Sequence, residues 1–352
     1  QLKKMIPNKK FGSIFSGGID SSLQTVLLSQ IQKPNDIITL NHVGKDKITK
    51  NINKFQKFID NKINVLHINK KNYLNDLKKS YEITQFPFLT HDFVGKYQLS
   101  KFFKEKDCKV FFGADGVDEL FGGYTFRYKK FLSLITQNST PQEKVKAYLC
   151  CHERDTVPDQ ENLFGEKSQF TWDAIYNTLL PYFDNSLSPL EQVFLADYNG
   201  KLLYNFSPIN TRILNHFGVE GINPLLSDNI ISFATHIPNI QKYDRNKNLG
   251  KLQLRKLLKK YNAISFVSDQ KLGFNVNTKN LWESHGKSIC TEYLLDSSTV
   301  SDSWVSKNWI TNFINRDDLD VRYINKFLGL LAFEIWYRLF VTRDMDSKMR
   351  LN

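Results

Sequence analysis

The sequence predicts an α/β protein: an open parallel sheet with helices on both faces, continued by a mainly helical second half. Three observations predict it. Short apolar runs alternate with stretches of helical periodicity over residues 1–130. Two of those apolar runs end in glycine-rich turns. After Tyr124 helical periodicity takes over, punctuated by Pro141, Pro181, Pro189, Pro208, Pro224 and Pro238.

The elements follow in order. Phe11–Phe15 is a short apolar run closed by Ser16-Gly17-Gly18, and Leu23, Val26, Leu27 and Ile31 then recur at helical spacing. Asp36–Leu40 reads as the second strand, followed by a helix through Ile48, Ile52, Phe55 and Ile59. Ile63–Ile68 is the third strand, with a helix near Tyr73–Leu77 and a longer one over His91–Phe103. Lys109–Phe112 is the fourth strand and runs into a second glycine-rich turn. Ligands of such sheets bind outside the carboxyl ends of the strands, which puts both glycine-rich turns in one crevice.

With 352 residues, 41% of them hydrophobic, the chain can bury a large core. One domain over residues 1–345 is expected, with an α/β part over 1–130 and a helical part over 131–345. The formal net charge of +12 would suit an anionic partner, but no run of five or six like charges occurs. The lysines therefore read as solvated faces. Cys108, Cys150, Cys151 and Cys290 form no CxxC pair, and two of them are adjacent. That pattern suits neither a zinc site nor an easy disulfide, and a reduced, cytoplasmic setting is expected. No signal peptide is visible. The apolar stretch Phe327–Phe340 contains Glu334 and Arg338 and is shorter than the ~20 residues of a membrane span, so it reads as a buried helix.

The chemistry concentrates in the turns. Ser16-Gly17-Gly18-Ile19-Asp20-Ser21 follows a strand and opens a helix. Two glycines allow close approach of the backbone to a polyanion, and the helix start adds unpaired N–H donors and a partial positive charge. Ser16, Ser21 and Ser22 offer hydroxyls. Asp20 is out of place in an anion cradle unless it holds a cation, for which Mg²⁺ bridging ATP phosphates is the natural candidate. The second turn, Gly113-Ala114-Asp115-Gly116-Val117-Asp118-Glu119-Leu120-Phe121-Gly122-Gly123-Tyr124, brings three carboxylates together. Like charges so close call for a metal or a cationic group among them.

The first string resembles the pyrophosphate-binding loop of PP-loop ATP pyrophosphatases and lacks the Gly-Lys-Ser/Thr of a Walker A loop. The second resembles the Gly-Ala-Asp-Glu-Leu-Phe-Gly-Gly-Tyr turn of asparagine synthetases. Together they are similar to the synthetase domain of that family, from about Lys10 to about Phe340. The resemblance implies the PP-loop, adenine-nucleotide α-hydrolase-like fold and ATP cleavage between the α and β phosphates. It makes Ser16, Gly17, Gly18, Ile19, Asp20, Ser21, Ser22 and Gly113 part of the ATP site, and Asp20 and Asp118 ligands of Mg²⁺. Gly218-Val219-Glu220, Pro224-Leu225-Leu226, Gly250-Lys251 with Leu254-Arg255, and Lys271-Leu272-Gly273-Phe274 resemble successive family motifs in family order. By that resemblance Lys251 and Lys271 contact the phosphates and act in catalysis. Asp115 positions the acceptor or relays a proton, and Asp197 stands at an acidic position of the acceptor site. A packing role is expected for Leu330–Trp336.

The departures fall on the acceptor side: Ile222 and Asn215 replace the usual Arg and Met, Ser227 precedes Asp228, and Thr211-Arg212 replaces an Asp-Arg pair. What is implied is therefore adenylation of a carboxylate, aspartate or a sugar acid among the candidates, and transfer to ammonia. A relative that closes a β-lactam or macrolactam ring with its own amine is the alternative, and a PP-loop enzyme modifying RNA a further one. No glutamine-hydrolysing domain with a terminal Cys precedes Phe11, so ammonia, or a glutaminase domain or subunit outside this sequence, is the expected nitrogen source. No membrane or nucleic-acid partner is expected, and a homodimer is the expected assembly.

Overall fold

A computed structural model describes residues 2–41, 47–67, 73–87, 93–152, 156–267, 278–346 and 348. The chain divides into two compact units built from interleaved segments. The first holds Gln1–Asn69, Gly95–Ser133 and Ser186–Asn275, and the second Lys70–Val94, Leu134–Asn185 and Val276–Asn352.

The first unit contains a five-stranded sheet: β1 (Phe11–Ile14), β2 (Asp36–Asn41), β3 (Ile63–His67), β4 (Val110–Phe112) and β5 (Glu220–Ile222). Every pair is parallel and the order is β3-β2-β1-β4-β5. The alternating strands and helices of the first 130 residues thus form the α/β sheet that the sequence predicts. β1 and β4 are buried along their whole length, as strands covered on both faces are. β4 is a continuous apolar run, and β1 holds one polar side chain, Ser13, whose hydroxyl accepts from the Gln24 amide at 3.3 Å. The chain leaves β1 toward β2 on one side, and β4 adds on the other. The crevice between the carboxyl ends of β1 and β4 is therefore the switch point of the sheet.

β5 is a strand that the helical reading of the second half does not contain. It is three residues long and lies at the sheet edge, so it carries too little alternation to be read from sequence. The helices Ile19–Ile31, Lys47–Ile59 and Leu252–Lys260 cover one core, in which Leu23, Val26, Ile52, Phe55, Leu254 and Leu258 pack with Val117, Leu120 and Phe121. A two-stranded hairpin, β6 (Tyr243–Asp244) with β7 (Leu249–Gly250), completes this unit's strands among the described residues.

The second unit is helical among its described residues. Its longest helix, Val321–Phe340, buries Ile324, Phe327, Leu328, Leu331 and Ile335. Glu334 is also buried: its carboxylate accepts from the backbone N–H groups of Ser298 and Thr299, at 2.9 Å each, and from the Thr299 hydroxyl at 2.8 Å. This apolar stretch therefore supplies a helix cap as well as packing. Among the described residues no helix is long and apolar enough to cross a membrane.

Candidate functional site

The Ser16–Ser21 loop is built as its residues dictate. Gly17 takes a left-handed φ of 78°, which turns the chain away from β1. Gly18 precedes the helix without a side-chain cap, so the helix opens with its first N–H groups unclaimed by a capping side chain. Ser21 instead ties the loop to itself: its Oγ accepts from the Ser16 N–H at 3.0 Å and lies 3.0 Å from the Ser16 Oγ. The result is a cradle of N–H donors and hydroxyls aimed at one end of a cavity of about 630 Å³, within the usual range for small-molecule sites.

The second turn supplies the facing wall. Gly116 and Gly122 both adopt left-handed backbone, at φ 81° and 74°, and bracket the one-turn helix Val117–Phe121. Val117, Leu120 and Phe121 anchor that helix in the core, and Asp118 lies on the cavity wall. A β-carbon at Gly113 would meet Asn223 Oδ1 at 2.7 Å, so the glycine lets β5 bring Asn223 to the turn. The Asp115 N–H donates to that same oxygen at 3.2 Å.

Lys251 ties the two turns together. It follows the β6–β7 hairpin in left-handed backbone, with φ 57°, and its N–H donates to the Phe121 carbonyl at 3.0 Å. Its ammonium lies 2.5 Å from Asp20 and 2.6 Å from Asp118. Burial would pull its pKa down, but the attraction of the two carboxylates outweighs this and pushes it up. Gly250 and Gly123 make the approach possible. A β-carbon at Gly250 would fall 1.9 Å from the Gly122 carbonyl oxygen, and one at Gly123 would fall 1.7 Å from Asp118 Oδ1.

Asp115 lies at a separate polar corner, where Lys96 donates to it at 2.8 Å and Asn210 at 3.3 Å. From behind the wall, Lys201 donates to the hydroxyl of the wall residue Tyr124 at 2.6 Å, and that hydroxyl donates to Glu119, also on the wall, at 2.6 Å. Burial raises the pKa of both Glu119 and Tyr124; for Glu119 the Lys201 cation opposes it. Lys201 sits in a ten-residue π-helix, Asp197–Phe206, continuous with the α-helix Ser207–Phe217. Pro208 explains the wide turn. It has no N–H, and its ring clashes with the carbonyl four residues back, so the helix relaxes to the wider register just before it. The Ser207 N–H bonding to the Leu202 carbonyl, five residues back, is that register.

The residues singled out in the sequence are placed unequally. Ser16, Gly18, Ile19, Asp20, Ser21, Gly113, Asp115, Asp118 and Lys251 all line the cavity. Gly17 shapes the loop, and Ser22 is fully buried beneath the helix start; neither lines the cavity. Asp197, expected in the acceptor site, has no exposed surface and lies 3.8 Å from Arg127, away from the wall. Lys271 falls outside the described residues. Sequence reasoning missed Lys96, Asn210, Asn223 and Lys201, and did not single out Glu119, Tyr124 or Arg255 for the site. Only Glu119, Tyr124 and Arg255, being inside quoted motifs, carried a readable signal.

Among the described residues no three His, Cys, Asp or Glu side chains converge on a metal position. Asp20 and Asp118 do converge on one cation, the Lys251 ammonium, which marks where a positive charge is held. Two carboxylates fit Mg²⁺, which commonly takes one or two from the protein and the rest of its ligands from substrate phosphates and water.

No curated protein matches the chain at a significant level. The family model described as asparagine synthase matches residues 3–338, nearly the whole chain and every turn of the cavity described above. With the parallel sheet, the pyrophosphate-type loop at its switch point and that match together, the chain belongs to the asparagine synthase family of ATP-dependent amide-forming ligases.

Proposed function

We propose that this chain adenylates a carboxylate with ATP and transfers the acyl group to ammonia. In the first step a carboxylate oxygen of the acceptor attacks the α-phosphate, the α–β bond breaks and pyrophosphate leaves. In the second, ammonia attacks the acyl carbon, AMP departs with the electron pair of the C–O bond, and the nitrogen loses a proton. The observation that supports this reading is the convergence of the Ser16–Ser21 loop and Asp118 on one cation at the switch point of the sheet.

The chain's own residues divide the work. The Ser16–Ser21 loop grips the β and γ phosphates with backbone N–H groups and hydroxyls. Asp20 and Asp118 would hold Mg²⁺, which when bound offsets charge on the phosphates. Lys251, with Lys271 by family resemblance, stabilises the negative charge that grows on the leaving pyrophosphate. Arg255, on the same wall and donating to the Gly250 carbonyl at 3.0 Å, holds the Lys251 backbone in place. The corner of Asp115, Lys96, Asn210 and Asn223 receives the acceptor, with Asp115 orienting the nitrogen and taking its proton.

A carboxylate-dependent ATP–pyrophosphate exchange screen across aspartate, uronic acids and amino-acid derivatives tests the reading. The expected products are AMP and pyrophosphate, with the acyl group trapped as a hydroxamate when hydroxylamine replaces ammonia. Release of ADP and phosphate would overturn it.

A further inference from the structure

Lys251 does more in this structure than face a phosphate. Its ammonium is shared between Asp20 and Asp118 at 2.5 and 2.6 Å, and its side chain is about one-tenth exposed. A divalent ion held by the same two carboxylates would sit about 2.0–2.1 Å from their oxygens, inside the space the ammonium fills. Two cations in one such pocket repel strongly, because buried charges are poorly screened. The lysine and the metal therefore compete for one position.

The backbone around the lysine is tightly fixed, whereas its side chain is a flexible four-carbon stem. The Lys251 N–H is tied to the Phe121 carbonyl, and Gly250 packs on Gly122 where no β-carbon could fit. Only the ammonium is positioned to swing. The phosphate loop lies on the same cavity wall, so phosphates offer the ammonium a second set of anions.

We infer that Lys251 is a positioning residue that clasps Asp20 and Asp118 together and bars a divalent cation from them until a nucleotide brings both the metal and phosphates to which the ammonium can transfer. The inference rests on the metal assignment in the proposed function and adds a binding order: the metal enters with the nucleotide, not before it. The clasp also keeps two half-buried carboxylates from repelling one another while the site is empty of substrate.

The test reads metal uptake, so it is independent of which carboxylate the enzyme activates. Mn²⁺ binding to the full chain is followed by electron paramagnetic resonance, with and without α,β-methylene-ATP. Without nucleotide, wild type should take up Mn²⁺ weakly, and Lys251→Gln and Lys251→Met should each bind it roughly tenfold tighter or more. Lys251→Arg, still able to fork between carboxylates, should keep uptake low. Wild type should bind Mn²⁺ tightly once the analogue is present. Equal nucleotide-free affinity in wild type and in the folded Gln and Met variants would overturn the clasp, while leaving pyrophosphate exchange to judge the reaction itself. A second readout needs no variant. Amine labelling with mass spectrometry should find Lys251 protected in the metal-free protein and labelled faster as Mn²⁺ is raised without nucleotide. Saturation with Mn²⁺ at unchanged labelling would also overturn it.

Discussion

Gly123→Ala puts the geometry of Asp20 and Asp118, the carboxylates proposed to hold the metal, to the test without removing any functional group. The added β-carbon would lie 1.7 Å from Asp118 Oδ1, 2.7 Å from Asp118 Cγ and 2.5 Å from Lys251 Cε. Ordinary contact begins at about 3.4 Å, so the carboxylate must retreat by about 1.7 Å. Gly123 is not among the residues with positive φ, so alanine meets no backbone objection and the whole cost falls on Asp118 and Lys251. Misplacing a reacting constellation by about 1 Å costs on the order of 10²-fold, or about 2.7 kcal/mol in kcat/KM. The fold should lose only about 1 kcal/mol, the low end for overpacking, since Asp118 borders the open cavity and can move into it. The assay is pyrophosphate exchange with the carboxylate found in the screen, together with the Mn²⁺ affinity of the α,β-methylene-ATP complex. Gly329→Ala is the control: a β-carbon there meets nothing within 4 Å, and alanine should leave exchange unchanged while slightly raising stability. A Gly123→Ala enzyme within roughly threefold of wild type would refute the placement of Asp118 at the reacting phosphates.

Other perturbations probe the rest of the molecule. Glu334→Ala removes a buried carboxylate from two backbone N–H groups and a hydroxyl, and should cost about 3 kcal/mol or more, read as a fall in Tm of several degrees. Burial pushes the Cys108 thiol up to about 11 and raises that of Cys290 as well, while Cys150 is exposed and Cys151 buried. Ellman's reagent at neutral pH should therefore titrate one thiol in the native protein and all four in denaturant. Lys96→Met, by releasing Asp115, should raise the acceptor KM roughly tenfold and leave nucleotide affinity unchanged, with Lys96→Arg restoring part of it, as steady-state kinetics would show. Lys271→Ala should lower the single-turnover rate about 10²–10³-fold with little change in nucleotide dissociation; an unaltered rate would return Lys271 to a solvated surface.

What could be read from the sequence was whatever local rules enforce. The Ser16–Ser21 loop and the Gly113–Tyr124 turn were legible as turns at strand ends because their glycines, polar residues and helix starts stand in consecutive residues. β4 was legible because a buried parallel strand is an unbroken apolar run, while β1, β2 and β3 were legible from short apolar-rich stretches between turn signals, β3 being only partly buried. The pairings that complete the site were not, since they join residues far apart in the chain. Lys251 meets Asp20 across 231 residues and Asn210 meets Asp115 across 95, and no periodicity encodes either contact. Pro208 was read as punctuation, yet the helix passes through it by widening its turn, and that turn carries Lys201 to Tyr124. Asp197 shows the limit of position without burial: an acidic residue in the expected order along the chain came to rest in the interior beside Arg127.

Net charge misleads here in an instructive way. The chain carries 48 basic and 36 acidic residues, which by itself suggests a surface that attracts anions. Among the described residues the cavity wall does not share that excess: it bears Asp20, Asp115, Asp118 and Glu119 against Lys96, Lys251 and Arg255. On the proposed function, the described wall then supplies no net positive potential for a triphosphate. In the proposed function affinity for it comes from the N–H groups of the Ser16–Ser21 loop, from Lys251 and Lys271, and from a cation that arrives with the nucleotide; until then Lys251 holds Asp20 and Asp118, and Lys96 holds Asp115. An enzyme built this way should bind bare ATP poorly and metal-complexed ATP well, because only the complex restores to Asp20 and Asp118 the cation that Lys251 gives up.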